Sequence, residues 1–536
     1  MSSAFRMSLK THGASRVPRP TGWWSPVRIA FSLALLLGGC ASLPPLDGRS
    51  ETHAMTGTAA TALRRAVDPR VAANPGKSGI HELSVPSEAF AARVLLAAAA
   101  EKSLDIQYYI WHGDETGTLL FEAVRNAADR GVRVRILLDD ANTSGLDDTI
   151  AALDAHPNIE VRLYNPLVPR SARALNFLTD FARANRRMHN KSFTADNQVT
   201  IVGGRNVGNE YFGADGEAGV EFTDLDVIAI GPAVQQVSNA FDLYWNSPSA
   251  YPAASVIDGS GRDLAGGLQA KFAAVRADPA SAAYVKALRE TMLVQELVAG
   301  RLSMEWAEAR LVRDDPAKTL DTTQARDVLL LSQLLPLMGP LNSSFDLVSP
   351  YFVPGDDGTA TLVSAARRGI KVRVLTNSLA ATDVTPVHAG YAKRRCDLLR
   401  AGVELYELKP SESTATSSGK GIGSSSSVQL HAKTSAVDRS RIFVGSFNFD
   451  ERSAFLNTEM GLVIESPVLA ARLSRAFDEE IPKRAYEVRI AADGRCPQWI
   501  ERTPEGEVRY DVEPHSGVAK RAWIEFLSVL PIEWLL

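Results

Sequence analysis

Two segments of this 536-residue sequence place histidine and lysine at the same spacing. The first, HNKSFTADNQVTIVGGRN, begins at His189, and the second, HAKTSAVDRSRIFVGSFN, begins at His431, 242 residues later. A histidine can act as a base, an acid or a nucleophile near neutral pH, and a lysine carries a positive charge. The residues that recur are His189, Lys191, Asp196 and Asn206 in the first segment and His431, Lys433, Asp438 and Asn448 in the second.

Together, these side chains could cleave a phosphodiester. Residues i and i+2 of an extended strand face the same side, so each segment presents its imidazole and its ammonium group together. One histidine can attack phosphorus, while the other protonates the leaving alkoxide and later deprotonates the incoming alcohol or water. The two lysines would stabilise the negative charge on the non-bridging oxygens. Since they supply the charge that a metal would otherwise supply, we expect no metal and no other cofactor.

A single His-x-Lys would not justify this prediction, because such a pair is common on half-exposed strands. Asp196 and Asp438 each precede a polar pair and could simply form turns, and Gly203-Gly204 would suit a bulge or a tight turn. What favours catalysis is that the whole string recurs in both halves of the chain, Asn included.

The repeat extends beyond the two segments. AADRGVRVRIL (127–137) matches AARRGIKVRVL (365–375), and YYIWHGDETG (108–117) resembles SPYFVPGDDG (349–358). In each half a strand leads to a helix, a glycine ends that helix, and an apolar strand follows. Three matching blocks in one order indicate a duplicated domain, and the alternation of strands and helices predicts an α/β fold.

These motifs resemble the phospholipase D superfamily, whose signature is His-x-Lys-x4-Asp followed by Gly-Gly/Ser-x-Asn. Both copies match the signature, and the resemblance covers most of residues 80–480. Within the superfamily the chain is most similar to bacterial cardiolipin synthases of the C type, in stretches that include DDANTSG (139–145), RRMHNKSF (186–193) and LPIEWLL (530–536). The resemblance implies two phospholipase D-like α/β/α sandwich domains in one chain, related by a pseudo-twofold axis, and a phosphohistidine-like intermediate.

The resemblance also implies roles for individual residues. The two His-Lys-Asn sets would surround the phosphate, with His189 as the nucleophile by family precedent and His431 as the acid. The family orients each histidine with a downstream acid, and the matching positions are Asp224 and Glu459; without the family, both could be solvent-facing strand residues. The two aspartates of the signature count with the catalytic set, but we expect their role to be structural rather than direct.

The implied function is that of a phospholipase D-type phosphatidyltransferase, which makes cardiolipin from phosphatidylglycerol and a second phospholipid, with phosphatidylethanolamine as a candidate. Water in place of the acceptor alcohol would give phosphatidic acid, so a hydrolytic phospholipase D is the first alternative. An exported nuclease of the same superfamily and a non-catalytic membrane-binding scaffold are two others.

Composition and chain organisation bear on the partners. A formal net charge of -4 is not typical of a general nucleic-acid binder, although it leaves room for a local basic groove, and we expect no nucleic acid as a partner. The resemblance and the apolar tail imply a phospholipid membrane as the partner. Because both catalytic halves lie in one chain, a monomer would suffice. The donor and acceptor lipids and any need for a helper protein stay open at this level.

We divide the chain into six predicted segments. They are a lipoprotein-type signal peptide (1–39), a tether (40–78), a first phospholipase D-like domain (79–250), a helical connector (251–325), a second phospholipase D-like domain (326–490) and a C-terminal apolar tail (491–536).

The low-complexity stretch 410–427 would be a mobile loop, either a lid or an insertion without a role. The basic-then-aromatic tail 519–536 is typical of a membrane interface, although a terminal helix docked on the core would show the same pattern. The apolar stretch 164–181 would be an acyl-chain entrance or a packed loop.

The first 40 residues have the features of an export signal. Five basic residues precede the apolar run IAFSLALLL (29–37), which is too short to span a bilayer. Leu37-Gly38-Gly39-Cys40 resembles a lipobox, in which cleavage leaves Cys40 acylated. We therefore expect a lipid-anchored protein of the bacterial cell envelope that faces the periplasm, and Ala41 weakly favours the outer membrane.

The chain has three cysteines: Cys40 of the lipobox-like stretch, Cys396 and Cys496. An oxidising compartment would permit a disulfide between Cys396 and Cys496, but the sequence does not fix the distance between them. No cysteine or histidine cluster has the spacing of a zinc site.

Overall fold

Two large sheets and a two-stranded one make up the β-structure of the described residues. The structure is a computed structural model, and it describes residues 43–214, 221–293, 296, 301–320, 329–410, 428–530 and 533–536. The predicted signal peptide with Cys40 and most of the low-complexity stretch (411–427) lie outside the described residues. Residues from Pro44 to Leu536 form one compact unit, and the description that follows concerns that unit.

The first sheet has nine strands in the order β10-β1-β8-β6-β5-β2-β3-β4-β9. The strands between residues 78 and 307 are β1 (Ser78–Leu83), β2 (Ser103–Tyr108), β3 (Arg133–Asp139), β4 (Ile159–Tyr164), β5 (Ser192–Ala195), β6 (Val199–Gly203), β7 (Glu221–Thr223), β8 (Asp226–Ile230), β9 (Ala250–Pro252) and β10 (Glu305–Ala307). All of them except β7, which belongs to the two-stranded sheet, lie in this first sheet. Strands β2, β3 and β4 are parallel neighbours, while β5, β6 and β8 are antiparallel.

Helices connect the parallel strands. Those of the first half are α1 (Ala62–Ala72), α2 (Pro86–Ala99), α3 (Glu115–Asp129), α4 (Asp147–Asp154), α5 (Asn176–Thr179), α6 (Phe181–Ala184), α7 (Asn209–Phe212), α8 (Pro232–Trp245), α9 (Ala253–Val256), α10 (Leu264–Ala277) and α11 (Pro279–Arg289). The Asp114 carboxylate accepts a hydrogen bond from the Gly117 N–H at the start of α3. Gly131 ends that helix at a φ of 93°, as predicted, because glycine tolerates the left-handed conformation.

The second sheet repeats this arrangement with ten strands in the order β11-β18-β17-β16-β12-β13-β14-β19-β20-β21. Its strands, with β15 of the two-stranded sheet, are β11 (Ala309–Arg313), β12 (Ser344–Val348), β13 (Lys371–Asn377), β14 (Glu404–Leu408), β15 (Val428–Leu430), β16 (Lys433–Val437), β17 (Arg441–Gly445), β18 (Met460–Ile464), β19 (Ala485–Arg489), β20 (Gln498–Thr503) and β21 (Gly506–Tyr510). The run β18-β17-β16-β12-β13-β14 has the same order as β8-β6-β5-β2-β3-β4 in the first sheet. The duplicated α/β fold predicted from the sequence is therefore confirmed.

The helices of the second half are α12 (Leu330–Met338), α13 (Gly355–Arg367), α14 (Thr385–Arg400), α15 (Glu451–Phe455), α16 (Pro467–Glu479), α17 (Ile481–Arg484) and α18 (Val518–Ser528). Short 3-10 helices occur at Asp140–Asn142, Arg170–Leu175, Pro316–Leu320 and Glu533–Leu535. Among the described residues, no helix is both long enough and apolar enough to cross a bilayer.

A shared core joins the two halves. Buried Val202 and Val227 from the first sheet belong to the same apolar cluster as Val444 and Leu462 from the second. Strand β7 of the first half also pairs in parallel with β15 of the second. The two motif-bearing halves therefore meet along an apolar interface.

The predicted helical connector is partly wrong. Helices α9, α10 and α11 lie within it, but Glu305–Ala307 and Ala309–Arg313 are strands. The first pairs with β1 and the second with β18, so one short segment completes an edge of each sheet. Pairing to a sheet edge outweighs the helical preference of this composition.

The predicted tether and apolar tail also need correction. Arg49 donates hydrogen bonds to the backbone oxygens of Asn246 and Ala250, and α1 follows, so residues 44–78 pack on the first domain. In the tail, β20 and β21 extend the second sheet, and α18 buries Ile524 and Leu527 on the core. The docked terminal helix, which the sequence left as an alternative, is the arrangement observed.

Cys396 and Cys496 form a disulfide, with their Cα atoms 5.9 Å apart. The bond joins α14 to the loop that precedes β20 and so ties the added strands to the second domain.

Candidate active site

Both His-x-Lys segments lie where a strand begins, beside the other half of the chain. His189 comes just before β5, and its backbone N–H donates to the oxygen of Thr458 at 2.9 Å. His431 comes just before β16, and its backbone N–H donates to the oxygen of Thr223 at 2.9 Å. Each histidine is therefore positioned by the backbone of the opposite half.

The two acids implied by the resemblance contact the histidines crosswise. Nδ1 of His189 lies 2.8 Å from Oε2 of Glu459, and Nδ1 of His431 lies 2.6 Å from Oδ2 of Asp224. All four side chains are buried. Each catalytic half thus takes its acid from the other half, and Nε2 is the ring nitrogen that would carry out the chemistry.

The lysines and two aromatic rings fix the histidine segments further. The ammonium group of Lys191 donates to the backbone oxygen of His189 at 2.6 Å, and that of Lys433 donates to the oxygen of His431. Tyr109 packs edge-on against His189, with ring centroids 4.8 Å apart. Tyr211 packs edge-on against His431 at 5.1 Å in the same manner.

Both histidines line one cavity of about 370 Å³. Its lining residues are Tyr109, Ile110, His189, Asn206, Tyr211, Tyr351, Asp383, Val384, Pro386, Val387, His431, Asp450, Arg452, Leu535 and Leu536. The volume falls in the range of small-molecule sites. The cavity can hold a phosphodiester headgroup between two imidazoles.

Burial keeps both imidazoles neutral near pH 7. It lowers the pKa of His189 well below its usual value, and the ammonium groups of Lys191 and Lys433 lower it further. Burial and Lys433 lower the pKa of His431 to about 4, against the opposing effect of Asp224. Burial also lowers the pKa of Lys433 to about 8 and that of Lys191 well below its usual range.

The two acids differ in charge. Burial raises the pKa of Glu459 to about 7, and the nearby Lys191 only partly opposes this effect. Burial would also raise the pKa of Asp224, but His431 and Lys433 outweigh it and lower that pKa to about 2. Asp224 is thus the firmer anion of the two.

Asp196 and Asp438 hold turns and do not line the cavity. Asp196 accepts hydrogen bonds from the backbone N–H groups of Glu101, Lys102 and Ser103. Asp438 accepts from those of Asn342, Ser343 and Ser344. Each aspartate ties the turn after its motif strand to the start of the neighbouring strand. By their place in the signature, Asp196 and Asp438 count with the catalytic set. Their contacts here are those of the structural role that we expected.

The asparagines differ between the halves. Asn206 lines the cavity, accepts from the Ile110 N–H at 3.2 Å and donates to the Tyr211 hydroxyl at 2.9 Å. Asn448 is buried, and its backbone N–H donates to Oγ of Ser453 at 3.3 Å.

The glycine pair of the first motif lets Asp224, which lies between β7 and β8, come close. A Cβ on Gly204 would lie 2.2 Å from Oδ1 of Asp224. The equivalent residue of the second motif is Ser446, whose hydroxyl donates to Oε2 of Glu459 at 2.5 Å. The residue at this position therefore lies beside the acid in each half. Gly204 leaves room for Asp224, and Ser446 donates a hydrogen bond to Glu459.

The cavity also contains residues that the motif analysis did not single out. Tyr109 and Tyr351 are 242 residues apart, the spacing of the two histidines, and that recurrence could have identified them. The Tyr351 hydroxyl donates to Asp383 at 2.8 Å. Arg452 and Leu536 carry no comparable signal in the sequence.

One group of potential metal ligands occurs among the described residues, His388, Glu407 and Glu513, whose ligand atoms lie within 4.8 Å of one another. The Arg395 guanidinium lies among them, with Nη2 2.8 Å from Glu513 and 3.1 Å from His388. A fixed cation already lies against these ligand atoms, so the donor set does not fit a metal ion.

Comparisons with known proteins agree with this geometry. The family model described as "Cardiolipin synthase, PLD-like domain" matches residues 95–245 and 337–481. Cardiolipin synthase C of Escherichia coli (strain K12) is 47% identical over 475 residues, which are 88% of this chain and 99% of that protein. A cardiolipin synthase of Oceanobacillus iheyensis is 24% identical over 396 residues, 74% of this chain and 67% of that protein. The crystal structure of phosphatidylserine synthase from Haemophilus influenzae Rd KW20 shares the fold, with a TM-score of 0.54 and 14% identity over 88% of this chain and 100% of that one.

Proposed function

This chain belongs to the cardiolipin synthase family with phospholipase D-like domains, and on that premise we propose that it transfers a phosphatidyl group from one phospholipid to the headgroup hydroxyl of phosphatidylglycerol. The observation that carries the proposal is the single cavity lined by His189 and His431, each paired with a buried acid. Phosphatidylethanolamine and a second phosphatidylglycerol are the candidate donors.

In the first step Nε2 of His189 attacks phosphorus, and the P–O bond to the donor's headgroup breaks. The leaving alkoxide takes a proton from His431, which gives a phosphatidyl-histidine and a free alcohol. The bound phosphodiester is an anion, so it raises the pKa of the adjacent His431 and supports its protonated form. Lys191 and Lys433 stabilise the charge on the non-bridging oxygens.

In the second step the acceptor hydroxyl gives its proton to His431, and its oxygen attacks phosphorus. The P–N bond breaks, His189 is restored, and the product is cardiolipin when the acceptor is phosphatidylglycerol. Water in the acceptor's place would give phosphatidic acid.

The asymmetry of the two pairs supports the assignment of roles. The imidazolium of His431 lies beside Asp224, whose pKa of about 2 keeps it ionised. Glu459 has a pKa near 7 and shares its oxygens with Ser446 and Ser453. It therefore supports a positive charge on His189 less well, which suits a neutral nucleophile.

Exposed apolar side chains suit a phospholipid surface. Leu178 is 83% exposed in the segment before His189, with Phe177 and Phe181 beside it, and α18 exposes Trp523 and Phe526. Aromatic and aliphatic side chains of this kind insert at the boundary between headgroups and acyl chains. These two surfaces would hold the protein at its substrate.

Attachment through Cys40 is a further part of the proposal and rests on the lipobox-like Leu37-Gly38-Gly39-Cys40. The protein would then sit in the bacterial envelope and face the periplasm. Labelling of cells with a palmitate analogue should mark the wild type and not Cys40→Ala, and equal labelling of both would refute the anchor.

Mass spectrometry of vesicle lipids tests the reaction. Purified protein is incubated with phosphatidylglycerol vesicles, with and without phosphatidylethanolamine, beside His189→Ala and His431→Ala. We expect cardiolipin from the wild type and none from either variant. Phosphatidic acid alone would make the protein a hydrolase. No lipid turnover under conditions where the protein binds the vesicles would refute the proposal.

A further inference from the structure

The last residues of the sequence form one wall of the catalytic cavity. Leu535 and Leu536 line it beside His189 and His431, although they are about a hundred residues or more from both motifs. We call Glu533–Leu536 the closing segment. A Cβ on Gly390 would lie 3.3 Å from Cδ1 of Leu536, so α14 leaves just enough room for this leucine.

Ion pairs hold the start of the closing segment against α14. Oε1 of Glu533 lies 2.7 Å from Nζ of Lys393, and Oε2 lies 3.0 Å from Nη2 of Arg394. The Glu533 side chain is only 13% exposed, which makes these pairs stronger than ordinary surface pairs.

Arg452 holds the end of the segment. Its backbone N–H donates to the oxygen of Leu536 at 2.9 Å, and its Nε donates to the oxygen of Leu535 at 3.0 Å. The same guanidinium donates twice to Asn185, four residues before His189. The closing segment is thus tied to both halves of the site.

We propose that the closing segment excludes water from the phosphatidyl-histidine and so determines that an alcohol, and not water, accepts the phosphatidyl group. The inference rests on the proposed function. Either acceptor gives a proton to His431 and an oxygen to phosphorus while the P–N bond breaks, so the two reactions compete for one intermediate. Leucine side chains offer a water molecule no hydrogen-bond partner, and a closed site protects a reactive intermediate from hydrolysis.

The test measures how the intermediate divides between the two acceptors. Wild type, Leu536→Ala and Glu533→Gln are incubated with phosphatidylglycerol vesicles in ¹⁸O-labelled water, and cardiolipin and ¹⁸O-phosphatidic acid are quantified by mass spectrometry. Val468→Ala is the matched control, because it removes a half-exposed valine from α16, which does not line the cavity. The product ratio does not depend on how much of a variant is folded.

We expect the ratio of cardiolipin to phosphatidic acid to fall on the order of tenfold in Leu536→Ala and by a smaller factor in Glu533→Gln. The control should keep the wild-type ratio. A wild-type ratio in both variants would overturn the inference, and so would a parallel loss of both products in both variants. A wild-type protein that makes no cardiolipin would overturn the proposed function, and this inference with it.

Discussion

Replacement of Asp224 by Asn should disable His431, because one carboxylate oxygen becomes an amide nitrogen. Oδ1 of Asp224 accepts from the backbone N–H of Leu225 at 2.7 Å, and Oδ2 accepts from Nδ1 of His431 at 2.6 Å. An asparagine has one carbonyl oxygen, and the part-buried Leu225 N–H, which is bonded to Oδ1 of Asp224, favours keeping that oxygen as its acceptor. The amide NH₂ of Asp224→Asn would therefore face Nδ1 of His431, which can then carry no proton.

The expected loss follows from the chemistry that this change removes. A His431 with an unprotonated Nδ1 cannot become an imidazolium, so the leaving alkoxide receives no proton from it. General acid catalysis is worth about 10²–10⁴ in rate, and the orienting acid of a His-acid pair contributes at the upper end of that range. We expect the single-turnover rate constant of headgroup release to fall about 10³-fold in Asp224→Asn.

Glu459→Gln should be much milder. Oε2 of Glu459 accepts from His189 and Ser446, while the partner of Oε1 within the described part of the chain is the Ser453 hydroxyl, which can rotate. The glutamine carbonyl can keep facing His189, and its NH₂ can face Ser453. Only the charge is lost, which weakens one hydrogen bond by roughly 1.4 kcal/mol, or about tenfold in rate.

The assay is a single-turnover measurement of headgroup release from labelled phosphatidylglycerol, with excess protein. Glu465→Gln, which removes a half-exposed carboxylate near Arg441, is the control for loss of charge. Equal losses in the two acid variants would refute this reasoning. A larger loss in Glu459→Gln would reverse the roles that we assign to the two histidines.

Three further predictions concern charge and stability. The value of kcat/KM should fall above about pH 8 in a pH–rate profile, because Lys433 is charged below its lowered pKa of about 8 and neutral above it; activity maintained to pH 10 would contradict this. Asp196→Asn should lower the free energy of unfolding by about 1–3 kcal/mol in a denaturant titration and change kcat of the folded fraction less than threefold, since it loses the negative charge that strengthens the bonds from three backbone N–H groups and the second oxygen that the Glu101 N–H also contacts; a hundredfold lower kcat would give the aspartate a direct role. Cys396→Ser should lower the unfolding free energy by about 4 kcal/mol, because the disulfide closes a loop between residues 100 apart, and an unchanged denaturation midpoint would refute this.

The fold could be predicted where it repeats. The blocks around Gly131 and Gly369 have the same order and offset, and both correspond to a helix that ends at a glycine followed by a buried parallel strand. Residues 305–313 could not be assigned in this way, because their composition favours a helix and only the partner strands β1 and β18 make them extended. The packing of residues 44–78 on Asn246 and its neighbours likewise depends on contacts about 200 residues apart.

The same distinction applies to the candidate site: residues in repeated local strings could be predicted, and contacts between distant residues could not. His189, Lys191, His431 and Lys433 recur within short strings, so their types and spacing identify them. The pairing of each histidine with the acid of the other half involves separations of 270 and 207 residues, which no local pattern records. Leu536 lies at the cavity through contacts far apart in the sequence: Arg452 donates to its backbone oxygen, and α18 packs on α14.

The crossed pairs give a physical reason for the duplication. Either half alone would have a histidine without its acid and an acid without its histidine. Together the halves satisfy both pairs, but not identically: Gly204 leaves room beside Asp224, whereas Ser446 donates to Glu459. A symmetric ancestor would offer two equivalent histidines, while one chain with two copies can make one of them a nucleophile and the other an acid. Gly204 and Ser446 are therefore equivalent positions at which the surroundings of the two acids differ.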